Sequence, residues 1–146
     1  MVNPEIDGPE FARLNAMRES VVTQSISRQL QLSTRLKSLR EDWARNGPHK
    51  ILATRVVSRQ DTLINRLQDK LTEMMKSDGE AFDALAAEIR RAKETSPDAL
   101  NVVLQKGRDL NLWILTERSP LREEVLDVYE REIDNLEMLM NRYWQG

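Results

Sequence analysis

The chain has 146 residues, enough for one domain with a core of ordinary size, and its formal net charge is only −2. It contains no cysteine, which excludes disulfides and thiolate metal sites and fits a reducing compartment. The N-terminus lacks the basic start and apolar run of a signal peptide, and no apolar stretch approaches the ~20 residues that span a bilayer. These features predict a cytoplasmic protein without a membrane span.

Glycine and proline residues mark the ends of segments with helical periodicity, and no Asn-Gly or Asp-Gly turn lies between alternating strands. We therefore expect an all-α protein, an elongated bundle of about five helices with a long N-terminal antiparallel helical hairpin. Residues 1–146 are treated as a single all-helical domain. In it, residues 9–76 form the hairpin and residues 79–146 hold three further helices.

Helix one is predicted from Pro9 to Asn46, with Asp7 and Glu10 as a capping box. Residues 23–34 are rich in Ser, Thr and Gln, whose side chains compete for backbone hydrogen bonds. The segment is therefore compatible with either a continuous helix or a kink. A straight helix of this length spans about 57 Å. A compact globule of this size is roughly 38 Å across. The molecule is therefore expected to be elongated, or helix one bends or projects toward a partner.

The link between helices one and two is expected to be tight. Asn46 and Gly47 can end helix one with a positive φ angle, and Pro48 can begin helix two. His49 would then be an exposed turn residue without a catalytic role. Trp43 continues the apolar stripe of helix one, so we expect it to pack against the core.

Helix two (residues 48–76) and helix five (starting at Ser119-Pro120) each carry apolar residues at alternating spacings of three and four. These two heptad seams either pack on each other or recruit a second chain, and we favour a dimer or hetero-complex. The predicted association seams are Val57, Ile64, Leu67, Leu71 and Met74 on helix two, and Leu126, Tyr129, Ile133, Leu136, Met140 and Tyr143 on helix five.

Helices three and four lie between the seams. Helix three is predicted over residues 79–93, with Ser77 and Glu80 as a second capping box. Helix four begins with Ser96 as its cap and Pro97 in its first turn. Gly107 either permits a close helix crossing or splits helix four into two pieces.

Catalytic and cofactor motifs are absent from the sequence. A single histidine excludes the paired Glu-x-x-His motifs of a di-iron bundle, and no phosphate-binding glycine motif occurs. We expect no catalytic residue, no cofactor and no small-molecule substrate. One helix face rarely supplies six oxygen ligands, so we predict a solvated surface rather than a metal site for the acidic set. That set is Glu123, Glu124, Asp127, Glu130, Asp134 and Glu137.

Basic residues crowd the tip of the predicted hairpin, where only Glu41 and Asp42 oppose them between Arg28 and Arg59. Their field can meet phosphates or an acidic protein face. Alternatively, they solvate the hairpin and pair with the acidic C-terminal half of the chain. The predicted partner-binding residues of this tip are Arg35, Lys37, Arg40, Arg45, Lys50, Arg55 and Arg59.

Together, the seams, the long first helix and the missing motifs predict a non-enzymatic helical protein–protein interaction module. Adaptors, assembly or secretion chaperones and small subunits of larger complexes are of this kind, and the partner is another protein or a second copy. The alternative is a nucleic-acid-binding accessory protein that uses the basic tip. It ranks second because Trp43 lies on the buried stripe, whereas single-strand binding usually needs an exposed ring. A regulatory enzyme subunit is a third option.

Overall fold

The computed structural model describes the backbone of residues 4–48 and 50–145, and the side chains of residues 9–48 and 50–144. It comprises α1 (Pro4–Asn46), α2 (Ile51–Thr95), α3 (Pro97–Trp113), a π-helical turn (Ile114–Arg118) and α4 (Ser119–Gln145). The backbone stays helical at Ile114 and Ser119, so α3, the π turn and α4 form one continuous helix. The all-α class is confirmed, with no strand in the described residues, but the expected five helices are three.

Helix α1 begins earlier than predicted and has no break. It starts at Pro4, so Pro9 lies inside it and the proposed start at Pro9 is wrong. The carboxylate of Glu10 accepts a hydrogen bond from Arg108 at 3.1 Å instead of serving a capping box at a helix end. The polar stretch 23–34 stays helical throughout. Ser33 bonds Tyr129 of α4, so its hydroxyl does not compete for the backbone of α1.

The link between α1 and α2 depends on a close approach at Gly47. No described glycine has a positive φ angle, so the predicted left-handed end at Gly47 is wrong. Its N–H donates to the carbonyl of Trp43 at 2.8 Å, which extends the helical pattern. A Cβ at Gly47 would lie 2.5 Å from that carbonyl oxygen and 2.7 Å from the indole ring. Only glycine fits there. α2 starts at Ile51, three residues after Pro48, and His49 lies outside the described residues.

Helix α2 runs through the predicted boundary at residues 77–80. The predicted capping box of Ser77 and Glu80 is wrong, because both residues lie inside this helix. Between them, the carboxylate of Asp78 accepts a hydrogen bond from Arg118 Nε at 3.0 Å. Gly79 therefore lies inside the helix, where it costs about 1 kcal/mol relative to alanine. Continuous packing of Met74 before it and Leu85 after it, both buried, outweighs that cost. The separate helix three is wrong.

The continuous third helix confirms the predicted helix start at Pro97 and corrects the one at Pro120. Ser96 caps α3 by accepting a hydrogen bond from the N–H of Ala99 at 3.1 Å, with Pro97 in the first turn. Pro120, by contrast, starts no new helix. A proline inside an α-helix lacks an N–H and clashes with the carbonyl four residues earlier. The preceding residues widen into the π turn, in which Ser119 N–H bonds the carbonyl of Ile114.

The chain divides into two compact units, and each contains a segment of all three long helices. Unit 1 is Met1–Gln24 with Glu73–Arg122, and unit 2 is Ser25–Thr72 with Glu123–Gly146. The description as one domain stays a prediction. Across the described residues, no helix is both long enough and apolar enough to cross a membrane.

Unit 2 is built around the buried side chain of Tyr129. Its ring is inaccessible to solvent, and its hydroxyl shares a 2.9 Å hydrogen bond with Ser33 of α1. Gln68 of α2 donates a second bond to the same hydroxyl at 2.9 Å. One side chain of α4 thus joins three helices. Arg40 bonds Asp61, whereas Ser33, earlier in α1, and Gln68, later in α2, meet at the Tyr129 hydroxyl. The two helices therefore run antiparallel here, as the predicted hairpin requires.

Unit 1 is held by a small apolar cluster and by the packing of an aromatic ring on a glycine. Leu85, Ala92 and Val103 form the buried cluster, against which Phe11 packs. Gly107 makes room for the Phe11 ring, because a Cβ there would lie 2.9 Å from Cδ2 of that ring. Of the two alternatives for Gly107, the split of helix four is wrong, because α3 is continuous there.

Two glycine-to-alanine variants test these assignments. Gly79→Ala is expected to raise the free energy of unfolding by about 1 kcal/mol, because its Cβ meets no atom within 4 Å and the helix gains propensity. Gly107→Ala is expected to lower it by about 1–3 kcal/mol, because the Phe11 ring must move. Urea unfolding followed by circular dichroism measures both. Equal urea midpoints for the two variants would contradict the close contact between Gly107 and the Phe11 ring.

Candidate interaction surface

Part of the predicted basic tip is occupied by the acidic face of α4. Arg35 Nη1 lies 2.6 Å from Asp134, and its Nη2 donates to Glu137 at 2.9 Å. The hydrogen bond to Glu137 is the main cause that raises the pKa of Arg35 above its ordinary value. Arg35 is therefore a structural cation of unit 2, which the sequence analysis had weighed as the alternative to partner binding.

Arg28 makes the most extensive ion-pair set in unit 2. Its guanidinium lies 2.7 Å from Asp127 and 2.8 Å from both Glu123 and Glu130. The hydrogen bond to Asp127, followed by the bond to Glu130, raises the pKa of Arg28 well above its ordinary value. The acidic face of α4 is thus not simply solvated, because two arginines of α1 form ion pairs with five of its carboxylates. Among the described residues, no group of three acidic or histidine side chains is placed to hold a metal.

Three more residues of the predicted tip lie next to acids. Arg40 Nε donates to Asp61 at 2.6 Å, across the interface between α1 and α2. Lys37 and Arg45 lie near Glu41 on their own helix, at 4.0 Å and 3.9 Å. Lys37 and Arg45 are largely exposed, so their pairs with Glu41 are weak and remain open to a partner.

The predicted seams lie in the interior of the chain. Those buried below 8 % exposure are Val57, Ile64, Leu71, Met74, Leu126, Tyr129, Ile133, Leu136 and Met140, while Leu67 and Tyr143 are partly buried. Burying such a side chain stabilises a fold by about 1.5–3 kcal/mol. The seams therefore form the core instead of an exposed surface for a second chain, and only Met74 among them lies in unit 1.

The remaining cations of the tip belong to one exposed face of α2. Arg55 and Arg59 have no ion pair within the described part of the chain, nor has Lys50 just before the helix. The face of α2 that carries Arg55 and Arg59 also holds further basic and apolar residues, spaced three and four apart. The prediction of the basic tip did not include them. We call this face the basic stripe, and it comprises Leu52, Arg55, Arg59, Leu63, Arg66 and Lys70.

The basic stripe combines free charge with exposed apolar surface. Leu52 is 64 % exposed and Leu63 is 40 % exposed, both high values for leucine in a helix that also has a buried face. Arg55, Arg59, Arg66 and Leu63 line a shallow depression on this face. The helical spacing that found the seam would also have found the stripe, had it been applied to basic residues and leucines together.

The described aromatic side chains near the tip pack against each other and lie off the stripe. The rings of Trp43 and Trp144 meet edge to face, with centroids 6.1 Å apart. Trp43 is partly buried, as expected, and also covers Gly47. The stripe therefore offers guanidinium groups and leucines, and no aromatic ring on which a base could stack.

A matched pair of variants tests the structural role of Arg28. Arg28→Met is expected to lower the free energy of unfolding by about 1–2 kcal/mol, because three neighbouring carboxylates lose their shared cation. Lys37→Met removes a cation that is 77 % exposed and should change stability by less than about 0.5 kcal/mol. Urea midpoints at low and high salt measure both. An effect of Arg28→Met as small as that of Lys37→Met would contradict the ion-pair set.

Comparisons with known proteins do not add to this description. No protein-family model matches the chain, and no significant match is found among curated proteins or solved structures.

Proposed function

We propose that the chain is a non-enzymatic helical interaction module whose basic stripe binds an acidic, amphipathic segment of a partner protein. The observation that supports this is the contrast between two sets of cations in unit 2. Arg28 and Arg35 bind the carboxylates of α4, whereas Arg55, Arg59 and Arg66 have no ion pair within the described residues. An adaptor, an assembly or secretion chaperone, or a small subunit of a complex would use such a surface.

The chemistry of the partner follows from the two side-chain types on the stripe. Guanidinium groups bind carboxylates through paired N–H donors, so the partner carries Glu or Asp. Leu52 and Leu63 are exposed between the arginines and gain from apolar contact. An amphipathic helix with leucines at spacings of three and four, flanked by acids, supplies both the carboxylates and the apolar surface. Such a helix would lie along α2, as amphipathic helices do in other complexes.

A protein partner fits these residues better than a nucleic acid does. Leucines add nothing to phosphate binding, and the sequence pI of about 5.6 gives the whole chain an acidic balance. The stripe also lacks the aromatic rings that bind single strands. Nucleic-acid binding therefore stays the alternative function. Because a cysteine-free chain fits a reducing compartment, we place the interaction in the cytoplasm.

Charge reversal of the stripe tests the proposed function. The triple variant Arg55→Glu, Arg59→Glu, Arg66→Glu should bind an acidic amphipathic helical peptide about 100-fold more weakly than wild type, because each lost charge contact costs about 1 kcal/mol. Fluorescence anisotropy at about 150 mM salt measures the affinity, with a scrambled peptide of equal composition for comparison.

The control for that experiment is the triple variant Arg13→Glu, Arg90→Glu, Arg91→Glu. These arginines are also exposed, and the net charge changes by the same amount. The control should bind the peptide like wild type. An equal loss of peptide affinity in both triple variants, or equal affinity for the scrambled peptide, would contradict specific binding at the stripe. Such a result would indicate an unspecific effect of net charge. Tighter binding to duplex DNA than to the peptide, lost only in the stripe variant, would establish the alternative function instead.

A further inference from the structure

One exposed face of unit 1 carries acids and apolar side chains side by side. It runs from α3 through the π turn into the start of α4, and every one of its members is exposed to solvent. Asn111 and Ile114, which lie between these members in sequence, are buried, so the exposed residues form a face of their own. We call this face the acidic ridge, and it comprises Asp109, Leu112, Trp113, Glu117 and Leu121.

The π turn helps to align the acidic ridge. Steps of four residues connect Asp109 to Leu121 through two further members of the ridge. In a plain α-helix each such step would drift by about 40° around the axis, because one turn takes 3.6 residues. The π turn (Ile114–Arg118) holds more residues per turn and offsets part of this drift. The acids and the apolar side chains therefore stay close to one row.

No ion pair within the described residues holds either acid of the ridge. Glu117 has none, and Asp109 accepts a hydrogen bond from the neutral amide of Gln105 at 3.0 Å. The cations of the same helical segment lie next to acids of other segments. These pairs are Lys106 with Glu88 at 3.7 Å, Arg108 with Glu10 at 3.1 Å and Arg118 with Asp78 at 3.0 Å. The ridge thus presents unpaired negative charge, as the basic stripe presents unpaired positive charge.

The acidic ridge and the basic stripe match in the order of their side chains. Residues 59–66 of the stripe place a leucine between two arginines, and residues 109–117 of the ridge place a tryptophan between two acids. At 1.5 Å per residue, the two arginines are about 10.5 Å apart along their helix and the two acids are roughly 12 Å apart. Two helices lying side by side would therefore pair both charges, with the apolar side chains between them.

The apolar members of the two faces add to this match. Trp113 is 39 % exposed and Leu121 is 41 % exposed on the ridge, while Leu52 and Leu63 are exposed on the stripe. The face of a tryptophan ring attracts guanidinium groups, and leucines gain by leaving water. The ridge thus has the carboxylates and the apolar surface that the stripe requires of its partner.

We propose that the acidic ridge of one chain binds the basic stripe of a second copy. This inference rests on the function proposed for the stripe and names the partner. The two faces are unlike surfaces, so the contact is heterologous and each copy offers both a ridge and a stripe. A contact between two single helix faces is smaller than a standard interface of about 800 Å² per partner. We therefore expect weak association that depends on the concentration of the chain.

Sedimentation equilibrium of the full chain at about 150 mM salt tests the proposal. The average mass of the wild type should rise above that of the monomer as the concentration increases. The ridge variant Asp109→Lys, Glu117→Lys should associate at least tenfold more weakly, because like charges then face each other. The stripe variant Arg55→Glu, Arg59→Glu, Arg66→Glu should lose association to a similar degree.

Combining both sets of substitutions in one chain restores opposite charges on the two faces. This swapped variant should associate at least tenfold more tightly than its matched control. In the control, Glu80→Lys and Glu94→Lys replace the two ridge substitutions, so both chains have the same net charge. Both control positions are exposed and lie on α2, away from the helix that carries the ridge. Equal association of the swapped variant and the control would overturn the proposal.

A measurement on the wild type alone keeps the proposal testable if a variant unfolds. With rising concentration, ¹⁵N–¹H NMR signals should shift at the stripe and at the ridge, and shifts elsewhere only would overturn the proposal. A chain that stays monomeric but binds the acidic amphipathic peptide at its stripe would overturn the self-association and keep the proposed function. A monomeric chain that does not bind the peptide would contradict both.

Discussion

The ion pairs between α1 and the acidic face of α4 govern the charge distribution of unit 2. Arg28 binds Glu123, Asp127 and Glu130, which lie on one helical face, and Arg35 binds the next two acids along it. These two arginines thus take their place in the packing of α1 against α4. The arginines of the basic stripe, by contrast, have no ion pair within the described residues.

Buried polar side chains give each unit a specific arrangement that apolar packing alone does not provide. In unit 2, Tyr129 bonds Ser33 and Gln68, so a shift of any of the three helices leaves a buried hydroxyl or amide unsatisfied. In unit 1, Asn111 is fully buried and bonds both Asn15 and Arg18. Unsatisfied buried polar groups are costly, which makes these contacts selective for one register.

The sequence predicted those features that depend on local chemistry or on a single periodicity. The all-α class and the cap at Ser96 are of this type. The seams were also found, but they were assigned to association with a second chain, whereas most of their residues lie in the core. The boundary at Gly79 was wrong because α2 packs continuously through it, with Asp78 bonded to Arg118, and the boundary at Pro120 was wrong because a π turn accommodates the proline. A capping pattern indicates the local preference of a segment to begin a helix, and tertiary packing can override that preference.

The candidate site could be predicted only in part for the same reason. The distribution of basic residues along the sequence located the positive charge near the tip. It could not distinguish arginines that form ion pairs within the chain from those that do not. That distinction depends on the register of α4 against α1, since the acids that bind Arg35 lie about a hundred residues later.

Arg28 and Arg35 are bound by carboxylates within the chain, whereas Arg55, Arg59 and Arg66 have no ion pair among the described residues. Side-chain ¹⁵N NMR of the arginine guanidinium groups tests this difference most directly, because firm bidentate or multiple ion pairs slow rotation about the Nε–Cζ bond. We expect separate Nη signals for Arg28 and Arg35 and averaged signals for the three arginines of the basic stripe. Averaged signals for all five, or separate signals on the stripe, would contradict this assignment.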